Sequence, residues 1–369
     1  MLKLKNYIEL NPKEHISKGE VVRQVTMADL EPFNRDIKKC GYVKYKSGTK
    51  FRNGDTLLAR ITPCLENGKT SFVNFLKQNE VAVGSTEFYV LRAIEGKMDP
   101  NYLYYLSISK KFRKSLIKSM TGTSGRQRAT KEAVLDYDSN IPDIDNQKSI
   151  SHKLSLIDDM ISVNNQINDN LFELAKIFFD YVKTSTTKKF SDIVSIQNGF
   201  AFKSKNYVKD KQLVILRTKN INSNNLFKSK DVVYIPYSLK DQYSRFAFKK
   251  FDSVLVMIGS NIGKTGFVTS NNLPSLQNQN MWRFRSTNKN ISGLLIYEYV
   301  NFINNKVKNS AVGSARAFYK KELFVDYPVP IIKKDNNFVF KKLELEINNI
   351  CKETDTLLLL KELLLNIYF

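Results

Sequence analysis

Two histidines and three cysteines in 369 residues leave little for several kinds of chemistry. Too few histidines are present for a His-rich metal site or a Ser-His-Asp triad. His152 lies beside a helical apolar seam and reads as an interface or surface residue. Cys40, Cys64 and Cys351 are odd in number and widely spaced, which argues against a disulfide framework and for a reducing cytoplasm. No stretch approaches the roughly 20 unbroken apolar residues of a membrane span. The opening Met1-Leu-Lys-Leu-Lys-Asn-Tyr7 lacks the apolar core of a signal peptide. Neither an Asn/Asp-Pro-Pro-Tyr/Phe motif nor a Gly-rich S-adenosylmethionine fingerprint is present, so methyl transfer would need another chain. Gly259-Ser-Asn-Ile-Gly263-Lys264-Thr265 has three residues between its glycines where a P-loop has four, and Asn67-Gly68-Lys69-Thr70 lacks the first glycine. Glu95-Gly-Lys97 has the shape of a nuclease metal site but reads as a solvated turn. No cofactor and no metal are expected.

Positive charge is abundant, and it is unevenly placed. Lys and Arg total 58 against 36 Asp and Glu. Residues 1–140 carry 25 basic against 15 acidic side chains, and residues 185–334 carry 25 against 8. Residues 141–184 carry 4 against 7 and residues 335–369 carry 4 against 6. Two basic bodies alternating with two acidic segments suit polyanion binding joined to a second task.

The basic bodies are copies of one another. Arg126-Gln-Arg-Ala-Thr-Lys-Glu132 through Asp136-Tyr137 aligns with Arg316-Ala-Phe-Tyr-Lys-Lys-Glu322 through Asp326-Tyr327. Asn53-Gly-Asp55 aligns with Lys250-Phe-Asp252, and Gly68-Lys69-Thr70-Ser-Phe72 with Gly263-Lys264-Thr265-Gly-Phe267. Thr56–Ile61 and Ser253–Ile258 read as buried strands, as do Glu87–Arg92 and Met281–Arg285, and Asp136-Tyr137 and Asp326-Tyr327 as strand ends. The start of the first copy is less regular. Glu20–Leu30 matches Val214–Ile221, and nothing there matches Gly199-Phe-Ala-Phe-Lys-Ser204.

The acidic segments step by three and four. Ile150, Leu154, Ile157 and Ile161 continue into Leu171, Leu174, Ala175, Phe178 and Val182, with Asn164 and Asn168 between them. Leu343, Ile347, Ile350, Thr354, Leu357, Leu360, Leu364 and Ile367 form the second stripe. Such stripes predict long helices that pack on each other, capped by Asp143 or Asp145 and by Asp335. A helix of some 35 residues spans about 50 Å.

The order body, helix, body, helix, with Asp192-Ile-Val-Ser-Ile-Gln-Asn-Gly199-Phe-Ala-Phe-Lys-Ser204-Lys-Asn-Tyr207 and Ile167-Asn-Asp-Asn-Leu171-Phe-Glu-Leu174-Ala-Lys-Ile-Phe178, resembles the DNA-specificity subunit of a bacterial type I restriction–modification system. The resemblance implies an α+β chain. Two tandem mixed α/β target recognition domains, residues 1–142 and 185–334, would be separated by helical spacers 143–184 and 335–369, pairing as an antiparallel coiled coil. Each domain would read half of a split DNA target. The helices would act as a ruler and as the dock for two methyltransferase subunits, with motor–nuclease subunits joining in the full complex. The chain itself would not be an enzyme.

Phosphate contacts are expected from Lys69, Lys264, Arg126 and Arg316, because they recur near Gly-rich turns, and from Lys203. Base reading is expected from Gln127 and Arg128 in the first body and from Arg217, Lys219, Asn220, Gln277, Asn278, Gln279 and Asn280 in the second, since these side chains offer donors and acceptors to groove edges. Arg126 and Arg316 also admit a buried structural reading. Two other functions fit parts of the sequence: a stand-alone DNA-binding regulator and a P-loop ATPase.

Overall fold

A computed structural model describes residues 2–37, 39–123, 125–228, 231–308 and 318–369. The chain divides into two compact units, Met1–Met160 with Leu357–Phe369, and Ile161–Thr356. Each unit is α+β and holds part of both long helices.

In the first unit an antiparallel sheet runs in the order Ile8–Leu10, Phe88–Ala93, Thr56–Ala59, Thr70–Phe72. Successive strand residues point to opposite faces. Leu58, Tyr89 and Leu91 therefore enter one core with Leu103, Leu106, Phe112 and Leu116. Leu57, Phe88 and Val90 enter another with Val25, Phe51 and Val73. Both faces are covered, which is why Thr56-Leu-Leu-Ala59 reads as an unbroken apolar run. A second sheet is ordered Gly41–Lys44, Val21–Val25, Ala82–Gly84, Thr49–Phe51, its middle pair parallel. Helices α1 (Pro100–Ile108), α2 (Lys110–Lys118) and α3 (Lys131–Leu135) follow, and α4 (Ile144–Val182) begins the spacer.

The second unit repeats this plan with one strand fewer in its second sheet. Its main sheet runs Val194–Asn198, Met281–Ser286, Ser253–Val256, Thr265–Phe267. Its second sheet is Val233–Ile235, Leu213–Leu216, Ser275–Gln277, the last pair parallel. Gln24 lies opposite Val83, and Ile215 opposite Leu276, so Val21–Val25 is the counterpart of Leu213–Leu216. Helices α5 (Gly293–Val307), α6 (Glu322–Val325) and α7 (Lys334–Tyr368) complete the copy. The segments before Asp136-Tyr137 and Asp326-Tyr327 are short helices rather than strands. Thr130 caps α3 by accepting from the Ala133 amide at 3.2 Å.

Each long helix starts against its own body. Asp143 accepts from the Asn146 amide at 2.9 Å, while Asp335 lies inside the first turn of α7. Gln147 on α4 accepts from the Asp99 amide at 2.9 Å, just before α1. Asn337 on α7 accepts from the Ser292 amide at 2.9 Å, just before α5. Among the described residues no helix is long and apolar enough to cross a membrane.

One buried acid makes a pH prediction. Glu298 on α5 is 3% exposed, and burial pushes its carboxyl up to about 8, with Lys176, Asp180 and Glu173 of α4 nearby. An acid with a raised folded pKa stabilises below its unfolded value, 4.5 here, and that contribution is lost as pH rises through about 8. Stability should therefore fall between those limits, by on the order of 5 kcal/mol at most. Glu298→Gln should flatten the slope and raise the melting temperature at pH 8. Equal slopes for both proteins in melts from pH 5 to 9 would contradict it.

Candidate nucleic-acid interface

Two repeated contacts build the frame on which the exposed loops stand. The first is an aspartate–arginine fork. Asp55, fully buried, accepts from Arg92 Nε and Nη2, both at 2.7 Å, and from the Arg52 amide at 2.8 Å. Asp252, 1% exposed, accepts from Arg285 Nε at 2.7 Å and Nη2 at 2.6 Å and from the Lys249 amide at 2.7 Å. One carboxylate thus fixes a turn and ties it to the neighbouring strand. In the first unit Glu14 takes the remaining Arg92 nitrogen at 2.6 Å. In the second, Arg283 lies beside the fork, and burial with the adjacent Arg285 lowers its guanidinium to about 10. The aspartates were visible in the aligned repeats; their arginine partners were not singled out.

The second contact concerns the repeated lysines. Lys69 donates to the Met27 carbonyl at 2.6 Å, and Lys264 to the Ile221 carbonyl at 2.7 Å. Both are half-buried, and burial pulls the Lys264 ammonium below the usual lysine range. Each braces the loop that leaves the first strand of the second sheet.

The other sequence candidates divide by exposure. Arg126, Arg128, Lys203, Lys219, Gln279 and Asn280 are exposed. Gln127, Arg217 and Asn278 are half-buried, with Arg217 Nη2 donating to the Asp231 carbonyl at 2.8 Å. Asn220 is buried and accepts from the Arg217 amide at 2.9 Å. Gln277 is fully buried, its amide donating to the Met281 and Gln197 carbonyls at 2.8 and 3.0 Å. Arg316 lies outside the described residues. Arg128 is gripped by Glu87 at 2.6 Å, and that bond holds the Glu87 carboxyl below the usual range.

Gly199 has a specific reason. A Cβ there would lie 1.8 Å from the Asn278 carbonyl oxygen, so only glycine lets the two segments meet. The phenylalanines that follow form a cluster missed in the sequence. Phe200 sits 5.0 Å from Phe202, 5.2 Å from Tyr243 and 5.0 Å from Phe246, with exposed Arg245 and Lys203 around it.

The long helices pair antiparallel within each unit. In the first, Leu154 packs with Leu364 and Phe369, and Asp158 accepts from Lys361 at 2.5 Å and from the Tyr105 hydroxyl at 2.8 Å. In the second, Phe178 meets Phe340 at 5.4 Å, and Asn168 donates to Cys351 Sγ at 3.7 Å. Leu154, Ile157, Leu343, Ile347 and Leu357 are buried; Ile150, Ile161, Leu171, Phe178, Ile350 and Leu364 are half-buried. Leu174, Leu360 and Ile367 lie outside the seam, at 49, 41 and 63% exposed. They belong to a second apolar row. On α4 that row holds Leu156 and Met160 in the first unit, and Val163, Ile167, Leu174, Ile177 and Tyr181 in the second. Among the described residues no cluster of three or more potential metal ligands occurs.

A family model described as the type I restriction modification DNA specificity domain matches residues 5–173. The specificity subunit of type I restriction enzyme EcoAI from Escherichia coli is 35% identical over 128 residues, 32% of this chain and 21% of that protein. That of the EcoEI enzyme is 39% identical over 105 residues, 28% of this chain and 17% of that protein. The MjaVIII specificity subunit from Methanocaldococcus jannaschii is 22% identical over 263 residues, 63% of this chain and 60% of its own length. The chain thus matches about a fifth of the length of the two Escherichia coli relatives. A solved type I restriction–modification S subunit from M. genitalium aligns over 99% of this chain and 94% of its own, at 14% identity and a TM-score of 0.49. Residues 5–173 are thus similar to the type I restriction modification DNA specificity domain.

Proposed function

We propose that this protein is the non-catalytic reader of a bipartite, asymmetric duplex DNA target. Residues 1–142 and 185–334 form the two target recognition domains; 143–184 and 335–369 form the helical spacers. The observation that carries this reading is one basic scaffold present twice, with the same order in its main sheet and different exposed side chains. Two frames of one shape dock alike on a duplex, while their differing loops read different bases. Phosphate contacts fall to exposed cations such as Arg126, Lys203 and Lys219. Lys69, Lys264, Asn220 and Gln277 serve by holding the loops in place.

The exposed apolar row on the spacers supports a second task. Side chains at three- and four-residue steps, left in water beside an already filled seam, suit a further helix. We assign that row to methyltransferase subunits, two per chain as the duplication suggests, with motor–nuclease subunits joining them in the cytoplasm.

Chemistry then resides in the partners. Purified chain given labelled S-adenosylmethionine and duplex DNA should transfer no methyl group, and with ATP and Mg2+ it should cut nothing. Methyl incorporation or cleavage by the pure chain would contradict the proposal.

A further inference from the structure

The two units display different side chains on one identical piece of backbone. In the first unit the Arg60 amide donates to the Glu87 carbonyl at 3.0 Å, and the Ala129 amide to the Arg60 carbonyl at 2.8 Å. In the second, the Met257 amide donates to the Asn280 carbonyl at 3.1 Å, and the Tyr319 amide to the Met257 carbonyl at 3.0 Å. Ile61 bridges Arg128 as Ile258 bridges Phe318, both antiparallel. An aromatic residue stands two places after the second position in each case: Tyr89, 5.3 Å from the Arg60 guanidinium, and Trp282, in the core that Met257 packs against. Positions 60, 87 and 128 thus correspond to 257, 280 and 318.

What they carry could hardly differ more. The first unit presents two arginines on one carboxylate, Arg60 at 3.3 Å and Arg128 at 2.6 Å from Glu87, beside the exposed Arg126. The second presents Met257, the exposed amide of Asn280 and Phe318 at 39% exposed. Here the frame is retained and only the displayed groups change.

We infer that this three-residue spot is a base-reading element in each unit, reading a G·C pair in the first and an A·T pair in the second; the inference rests on the DNA-reading function proposed above. Donor counting supports the first half. Arg128 uses Nε and one N–H of Nη2 on Glu87 and one N–H of Nη1 on the Arg126 carbonyl, at 3.2 Å. Two of its five N–H groups remain, the number guanine O6 and N7 accept. Glu87, held in place by both arginines, is an acceptor for cytosine N4. In the second unit an asparagine amide matches adenine N6 and N7, and the phenylalanine ring suits the thymine methyl.

The test is selection of binding sites from a random duplex library by the full chain. Wild type should enrich two half-sites. Glu87→Gln and Arg128→Gln should each reduce preference for one G·C pair in one half-site at least tenfold and leave the other half-site unchanged. Phe318→Ala should relax one A·T position in the opposite half-site only. Glu87 and Arg128 are partly exposed and Phe318 lies in the other unit, so a change confined to one half-site separates lost base reading from general unfolding. An unchanged motif, or equal loss across all sequences, would overturn the inference while leaving the DNA-reading proposal standing. Enrichment of no bipartite motif by wild type would overturn both.

Discussion

Replacing Asp252 by alanine is expected to destabilise the second unit by about 3–5 kcal/mol. The carboxylate is 1% exposed and accepts from Arg285 twice and from the Lys249 amide. Its loss strands the Arg285 guanidinium beside Arg283, which is itself 5% exposed and already disfavoured as a cation by burial. Two neighbouring arginines, one buried and one half-buried, would then lack their shared counter-charge. At roughly 2–4 °C per kcal/mol for a body of this size, melting should fall by about 10 °C. Asp55→Ala should act likewise in the first unit, because Arg92 is held by the same fork. Thermal melts of the full chain read both. A fall under about 1 °C for either variant would show that the fork contributes little.

DNA affinity should drop at least a hundredfold between about 50 and 200 mM salt. The slope of log affinity against log salt is about −0.9 per phosphate neutralised. Four phosphate contacts across a fourfold salt change already give roughly a hundredfold. The basic residues of 1–140 and 185–334, with Arg126, Lys203 and Lys219 exposed, supply more cations than that. Lys264→Met should act differently from loss of an exposed lysine. It removes the bond to the Ile221 carbonyl, so it should loosen the segment around Ile221 and weaken one half-site, with little change in the salt slope. Affinity flat with salt, or a Lys264→Met loss confined to the slope, would contradict this division.

Internal repetition made much of the architecture legible. Asp55 with Asp252 and Lys69 with Lys264 stood out because each recurs, and each proves to make the same contact twice. The sequence does not carry the direction in which a side chain turns. Lys69 and Lys264 look like free cations beside glycine turns, yet both ammonium groups meet a carbonyl inside their own unit. Gln277 sits in a run of amides suited to base edges, but it ends the strand Ser275–Gln277, which is buried throughout, while Gln279 lies beyond that strand in water. The helical stripes were visible as three- and four-residue steps. Their boundaries were blurred because a second apolar row runs beside the first, and because the seam contains a buried ion pair, Lys361 with Asp158, that no count of apolar residues would find. The spot at positions 60, 87 and 128 escaped for a related reason. Its members lie far apart in the chain and are brought together by backbone bonds and by ion pairs that the sequence does not display.

The central claim, that this chain alone chooses which DNA the partner enzyme modifies, is tested most directly by the methylated motif of cells that carry the methyltransferase with and without this gene. The account predicts one bipartite motif with two unlike halves and a fixed gap, absent when the gene is deleted and restored when it is returned. A motif that survives deletion unchanged, or a single continuous palindrome, would contradict it.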